Sequence, residues 1–174
     1  MTGKHVVSYL GLGSSIGDRL AHLRFAVEQI SSLPQTRFVK VSHIYETQPV
    51  GGMAKNMFLN AVLGIKTELP PETLLHHLRR IETASGRRRR TRWEDRKLDI
   101  DILFYGRHVI KNKCVHIPHP RIPEIRFVLA PLSEIAPRFR HPVIGRSMRT
   151  LLASCPDTSG VTIRSEMALT FPDL

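Results

Sequence analysis

Cysteine is scarce in this chain. Cys114 and Cys155 are the only two, too few and too far apart for a disulfide framework or a thiolate metal site, so both read as reduced and structural. Long apolar runs are missing as well. The longest apolar stretches are strand-sized, and Met1-Thr2-Gly3-Lys4-His5 holds no apolar segment of signal-peptide length. Neither membrane insertion nor export is expected, and a cytoplasmic protein is. There is no internal repeat and no low-complexity linker, which excludes solenoid and fibrous architectures. The 174 residues therefore read as one domain over 1–155 with a short tail, 156–174, that carries little pattern.

Acidic residues are also in deficit: 15 Asp and Glu against 26 Lys and Arg give a formal charge of +11. A field of that sign attracts nucleic acid, acidic lipid or a polyphosphate substrate, and charge alone does not choose among them. Its distribution is uneven. Between Gly86 and Lys97 stand Arg87, Arg88, Arg89, Arg90, Arg92, Arg96 and Lys97 against only Glu94 and Asp95. Such a run reads equally as a solvated loop, a nucleic-acid patch or a set of phosphate ligands.

Periodicity supplies the elements. Val6–Leu12 is an apolar run ending in glycines, followed after Asp18 by Leu20, Leu23, Val27 and Ile30 at helical spacing, so a strand and a helix are predicted. Alternation predicts strands over Phe38–Tyr45 and Phe58–Ile65, the latter with Leu59, Ala61, Leu63 and Ile65 on one face. Between them Glu46 to Gly52 carries proline and paired glycines and reads as an exposed loop. Pro70-Pro71-Glu72 opens a helix whose stripe is Leu74, Leu75, Leu78 and Ile81, ending near Gly86. Leu98–Phe104 is a strand, Phe127–Ile135 and Ser147–Ala153 are helices, and the C-terminal third should pack on the same sheet. The order strand, helix, strand, strand, helix, strand predicts an α+β fold. It would be a ferredoxin-like antiparallel sheet with a βαββαβ core and added C-terminal helices, in three α-β-α layers.

Within that frame Asp99 and Asp101 leave the same face of their strand, while Leu98, Ile100 and Ile102 point to the core. Carboxylates roughly 6 to 7 Å apart repel by about 2.5 kcal/mol at an effective dielectric of 20, a cost that cations relieve. Magnesium suits such a pair because it takes oxygen ligands and commonly joins one or two carboxylates to substrate phosphates. A strand with its polar face in water is the other reading, although aspartate is a poor strand former. The arginines just upstream favour the metal reading, since guanidinium forks match phosphate oxygens and phosphoryl-type transfer needs mainly positioning and charge neutralisation. Trp93, among those arginines, could stack on a flat ring or anchor the loop. Gly11 to Gly17 lacks both the dinucleotide spacing and the P-loop lysine, so a tight strand-to-helix connection is expected there and no ligand is assigned. Asn60 and His119 read either as ligand contacts or as satisfied structural polar residues.

Arg92-Trp93-Glu94-Asp95-Arg96-Lys97-Leu98-Asp99-Ile100-Asp101-Ile102-Leu103 closely resembles the signature of the hydroxymethyl-dihydropterin pyrophosphokinase family of folate biosynthesis. Gly11-Leu12-Gly13-Ser14-Ser15, Tyr45 to Gly51, Phe58-Leu59-Asn60-Ala61 and His119-Pro120-Arg121 occur in that family's order, and the likeness runs from about Val7 to Leu152. It implies a magnesium-dependent enzyme that moves pyrophosphate from ATP to the hydroxymethyl group of a reduced pterin, releasing AMP. The pterin would lie between Phe58 and Phe127, read by Asn60 and by the chain from Thr47 through Pro49 to Val50, with Trp93 closing over it. Asp99 and Asp101 would hold two Mg²⁺ ions on the phosphates, and Arg87 and Arg96 would neutralise charge during transfer. Leu75, Glu82, Arg89, Arg92, Trp93, Ile102 and His119 would contact the nucleotide. Ser15 stands where the family usually has asparagine, and Ile125 where arginine is common; Arg126, next along, would take over that phosphate contact.

The expected partners are thus ATP and a reduced pterin, with neither nucleic acid nor membrane, acting on a monomer. A single-stranded RNA-binding module shares the element order, but Met57 to Val62 lacks the basic-glycine-aromatic pattern of such a module. An ordinary γ-phosphate kinase differs by its product, ADP instead of AMP.

Overall fold

The computed structural model describes residues 5–49, 55–86 and 95–170. Strand β1 (Val6–Ser14) leads into helix α1 (Arg19–Ser31), strands β2 (Thr36–Val41), β3 (Tyr45–Thr47) and β4 (Phe58–Thr67), helix α2 (Pro71–Ala84) and strand β5 (Asp99–Tyr105). A small hairpin of β6 (Ile110–Lys111) and β7 (His116–Ile117) follows, then a 3₁₀ turn, helices α3 (Arg126–Ile135) and α4 (Met148–Ala153), and strand β8 (Val161–Ile163). Local chemistry explains several boundaries. Asp18 caps α1, its Oδ1 accepting from the Ala21 N–H at 2.9 Å, after Gly17 has turned the chain at φ +70°, a conformation that glycine reaches at no steric cost. Pro71 occupies the first turn of α2, where its missing N–H leaves no bond unmade.

One antiparallel sheet runs in the order β5-β1-β4-β3-β8, with β2 pairing the other half of β4. The glycines of β1 lie inside the strand and not in the turn after it: Gly11 pairs with Val62 and Asp101, Gly13 with Asn60 and Asp99. The connection to α1 is correspondingly shorter than expected. The predicted strand Phe38–Tyr45 is two strands. Ser42 Oγ takes the Val62 N–H at 2.9 Å, and the β2–β4 register shifts between Phe38 and Lys40, so the edge breaks before β3 resumes.

Alternation divides the sheet's faces. Leu10, Leu12, Leu59, Ala61, Leu63, Ile65, Ile100 and Ile102 are buried in one apolar cluster with residues of α1 and α2. On the other face Tyr9, Val62 and Phe104 pack with Leu129, Leu132, Met148 and Leu151 of α3 and α4. A bulge between Tyr9 and Leu10 leaves Leu103 as an extra residue of β5, and Leu103 and Phe104 both join the α3 cluster. The Asp99–Gly13–Asn60 end of this second face belongs to neither cluster. The tail, unpatterned in sequence, supplies the edge strand β8, which pairs with β3, and sends Leu169 into the α1–α2 core. Among the described residues no helix is long and apolar enough to cross a membrane.

Candidate active site

The site grows from register. Asp99 pairs with Gly13, Gly13 with Asn60, and Asn60 with Tyr45, so these residues form one row across four strands on a shared face. A second row holds Asp101, Gly11 and Val62. Glycine in the middle of the first row leaves a hollow between the carboxylates of β5 and the polar residues of β4. A Cβ at position 13 would lie 3.0 Å from Asn60 Oδ1 and 4.0 Å from a ring carbon of Phe58. Neighbouring strands stand roughly 4.8 Å apart, so Asp99 and Asn60 face each other across about 10 Å of sheet.

Hydrogen bonds fix each side. Asn60 Nδ2 donates to Thr47 Oγ1 at 2.7 Å, and both side chains are buried. On the opposite side Arg96 Nη1 meets Asp99 Oδ2 at 2.7 Å. The Arg96 backbone is pinned to the end of β1: its N–H donates to Ser15 Oγ at 2.8 Å, and its carbonyl accepts from the Ser15 N–H at 2.8 Å. Glu82, buried on α2, accepts from the Ile100 N–H at 2.8 Å, which fixes β5 at the residue between the two aspartates. Asp95 accepts from Asn56 Nδ2 at 2.9 Å and from the Asn56 N–H at 3.2 Å, tying the approach to Phe58 to the approach to Arg96. Beside them a cleft of about 380 Å³ is lined by Ser15, Ile16, Gly17, Arg19, Glu46, Asn56 and Met57. Arg19 Nη1 spans it, bonded to Glu46 Oε1 at 3.0 Å and the Met57 carbonyl at 2.8 Å, and Arg164 from the tail pairs with Glu46 from the far side. At the α3 end of the row, burial and then the Glu134 carboxylate push the Tyr45 phenol well above its usual range, so Tyr45 is a permanent donor, to Glu134 Oε2 at 2.9 Å.

Of the residues singled out in sequence, Asp99, Asp101, Arg96, Phe58, Asn60 and Thr47 come together at this end of the sheet. Pro49 follows β3, and Phe127 lies in the first turn of α3, both half-buried. His119 follows β7; its N–H donates to the Leu103 carbonyl at 3.0 Å and its Nδ1 accepts from the Arg121 N–H at 3.4 Å. Leu75 and Ile102 pack in the α1–α2 core, on the side of the sheet where Glu82 also sits. The Arg126 N–H donates to Asp157 Oδ2 at 2.9 Å. Burial raises the Asp157 carboxyl, but hydrogen bonds from Ser159 and Arg126 outweigh it and hold the group below the usual carboxylate range. Val50, Arg87, Arg89, Arg92 and Trp93 lie outside the described residues. Sequence reasoning missed Asp95, Arg19 and the structural part played by Ser15. Only the adjacency of Asp95 to Arg96 hinted at any of them.

The sequence profile of the family described as 7,8-dihydro-6-hydroxymethylpterin-pyrophosphokinase (HPPK) matches residues 9–137, from within β1 to just past α3. The chain belongs to the HPPK family. It is 46% identical over 129 residues to the 2-amino-4-hydroxy-6-hydroxymethyldihydropteridine pyrophosphokinase of Bacillus subtilis, covering 74% of this chain and 77% of that one. With the enzyme of the same name from Methylorubrum extorquens the identity is 43% over 154 residues, covering 88% and 96%. This HPPK chain is accordingly an enzyme of folate biosynthesis that transfers pyrophosphate from ATP to 6-hydroxymethyl-7,8-dihydropterin. Among solved structures it is similar to Plasmodium falciparum HPPK-DHPS with pterin and p-hydroxybenzoate, with a TM-score of 0.68 at 16% identity, over 87% of this chain and 43% of that one. An HPPK-DHPS in complex with substrates gives a TM-score of 0.69 at 15% identity, over 87% and 43%. The HPPK chain thus spans under half of those proteins, and at that identity the likeness is one of fold.

Proposed function

We propose that the row Asp99–Gly13–Asn60 divides the HPPK reaction between two half-sites, phosphates on the β5 side and pterin on the β4 side. The observation that carries this reading is the glycine floor at position 13, with the Arg96–Asp99 pair on one side and the Asn60–Thr47 pair on the other. Asn60, Thr47, Pro49 and Val50 read the polar edge of the pterin, Phe58 and Phe127 sandwich its ring, and Trp93 covers it. Leu75, Glu82, Arg89, Arg92, Trp93, Ile102, His119 and Arg126 serve the nucleotide. Among the described residues no cage of three or more His, Cys, Asp or Glu side chains forms, but two carboxylates with substrate phosphates are the donor set magnesium commonly takes. Asp99 and Asp101 would hold two Mg²⁺ ions, which neutralise charge on the phosphate oxygens.

Arg96, held at its backbone by Ser15 and at its guanidinium by Asp99, is stationed to meet charge that builds during transfer, and Arg87 shares that role. The pterin hydroxyl oxygen bonds to the β-phosphorus, the bond from that phosphorus to the α–β bridging oxygen breaks, AMP leaves with that oxygen, and the hydroxyl proton passes to solvent. The framework is ferredoxin-like and three-layered, a single pyrophosphokinase domain over 1–155 with 156–174 as its tail. It acts as a cytoplasmic monomer without nucleic-acid or membrane partners.

The test is incubation with ATP, Mg²⁺ and hydroxymethyl-dihydropterin, with products separated by chromatography. AMP is expected, and ADP in its place would overturn the assignment of the attacked phosphorus. Asp101→Ala should lower turnover by roughly 100-fold or more while barely moving the thermal midpoint; undiminished turnover would remove the metal role from β5.

A further inference from the structure

The candidate active site leaves a second basic surface unexplained. From Ile135 to Cys155 the chain contains no Asp or Glu and four arginines, Arg138, Arg140, Arg146 and Arg149. All four are exposed, and among the described residues none is ion-paired with a carboxylate. Three of them, with Pro137 and Ser147, line a cleft of about 310 Å³.

The frame behind this cleft is rigid. The Met148 N–H donates to the Phe139 carbonyl at 3.0 Å, the Arg149 N–H to the Pro137 carbonyl at 3.2 Å, and the His141 N–H to the Arg146 carbonyl at 3.0 Å; Arg140 and Ser147 form a β-bridge. Phe139 packs edge-on against Phe104 and Tyr9, with centroids at 4.8 and 5.4 Å, which turns Arg138 and Arg140 outward. Arg140 Nη1 is further oriented by the Gly145 carbonyl at 2.9 Å. Exposed arginines ordinarily find a carboxylate or spread apart; here a hydrogen-bonded hairpin gathers three around one concavity with no carboxylate paired to them among the described residues. An anion is the missing term.

We infer that this cleft is an accessory binding site for a phosphate-bearing anion, separate from the reacting phosphates. Guanidinium forks match the geometry of phosphate oxygens. The nearby rings of Phe139 and His141 are engaged with Phe104 and offer no stacking platform, which argues against a single-stranded nucleic acid. Separation from the active site follows from β5. Phe104, against which the hairpin packs, is three residues from Asp101 and five from Asp99, about 10 to 17 Å along the strand. Nucleotides and inorganic polyphosphate share the required chemistry.

The experiment is a backbone amide NMR titration of the full chain in EDTA with sodium tripolyphosphate, and separately with ATP, on the wild type, on Arg140→Ala/Arg149→Ala and on Arg149→Lys. The amides of Arg138, Arg140 and Arg149 should shift to saturation. The double variant should weaken that response at least about 10-fold while its AMP production and thermal midpoint stay unchanged. Arg149→Lys, which keeps the charge and loses the fork, should fall between. Equal responses to tripolyphosphate and ATP would show that phosphate alone is read; a response to ATP only would show that the nucleoside contributes. No saturating shift at these amides with either probe, or equal affinity in wild type and double variant, would overturn the site.

Discussion

Ser15 and Arg96 are far apart in the chain and share a reciprocal pair of hydrogen bonds where the end of β1 meets the residues before β5. Because Ser15 is buried, its loss would leave the Arg96 N–H unsatisfied, a cost of about 1 to 3 kcal/mol, and would free the side chain that meets Asp99. On the role proposed for Arg96, Ser15→Ala should lower stability modestly and turnover by roughly 10-fold, with the larger effect on kcat than on KM, because the displaced guanidinium would no longer meet developing charge. Steady-state AMP formation alongside thermal unfolding checks this; a fall in stability with kcat intact would make Ser15 a folding residue only. Glu82, proposed above for the nucleotide side, also has a structural part, since its carboxylate holds the Ile100 N–H of β5. Nothing in the sequence marks that bond, because α2 and β5 meet only in the folded molecule.

At the scale of elements, legibility followed periodicity. β5 alternates carboxylate and apolar residues, and the structure keeps that alternation, with Ile100 and Ile102 buried and Asp101 exposed. Helices α1 and α2 were legible from their stripes and start signals. The break between β2 and β3 was not, because a serine hydroxyl replaces a backbone partner of β4 there. The tail was unreadable because β8 is only three residues long, too short for the alternation of Val161 and Ile163 to stand out, and it is largely exposed. It is nonetheless docked, through β3, the Arg164–Glu46 pair and Leu169. Leu169→Ala should cost about 2 kcal/mol, the low end for a buried leucine, since the site lies at the margin of the core. Chemical denaturation measures it, and an unchanged midpoint would mean that the tail contributes nothing to the core in solution.

The whole molecule joins two apolar layers through one sheet, and its stability carries a titration from the α3–α4 layer. His141 is buried, stacks edge-on with Phe104, and accepts at Nδ1 from the Val143 and Ile144 N–H groups at 3.3 Å each. Burial holds its imidazole below the ordinary value of 6.5. The unfolded chain therefore takes up a proton that the folded chain resists, so this contribution to stability is complete above pH 6.5 and declines as the pH falls toward the lowered folded value. Asp157, held below its ordinary 3.8, adds a further loss only under more acid conditions. The urea midpoint should drop between pH 7 and pH 5, and His141→Asn, which keeps an acceptor but cannot be charged, should flatten that drop. An identical slope in the variant would place the effect elsewhere.

What the sequence determined by itself is local in its physics. Side-chain direction along a strand repeats every two residues whatever the partner strand, so the shared face of Asp99 and Asp101 and the apolar stripe of Leu59, Ala61, Leu63 and Ile65 could be read at once, as could the residue order shared with the HPPK family. Only the tertiary structure decided that Gly13 separates Asp99 from Asn60, that Ser15 anchors Arg96, and that the tail closes over β3. Those relations depend on register between segments distant in the chain, which is set by hydrogen bonds and burial summed over the whole sheet and is encoded in no short stretch of residues.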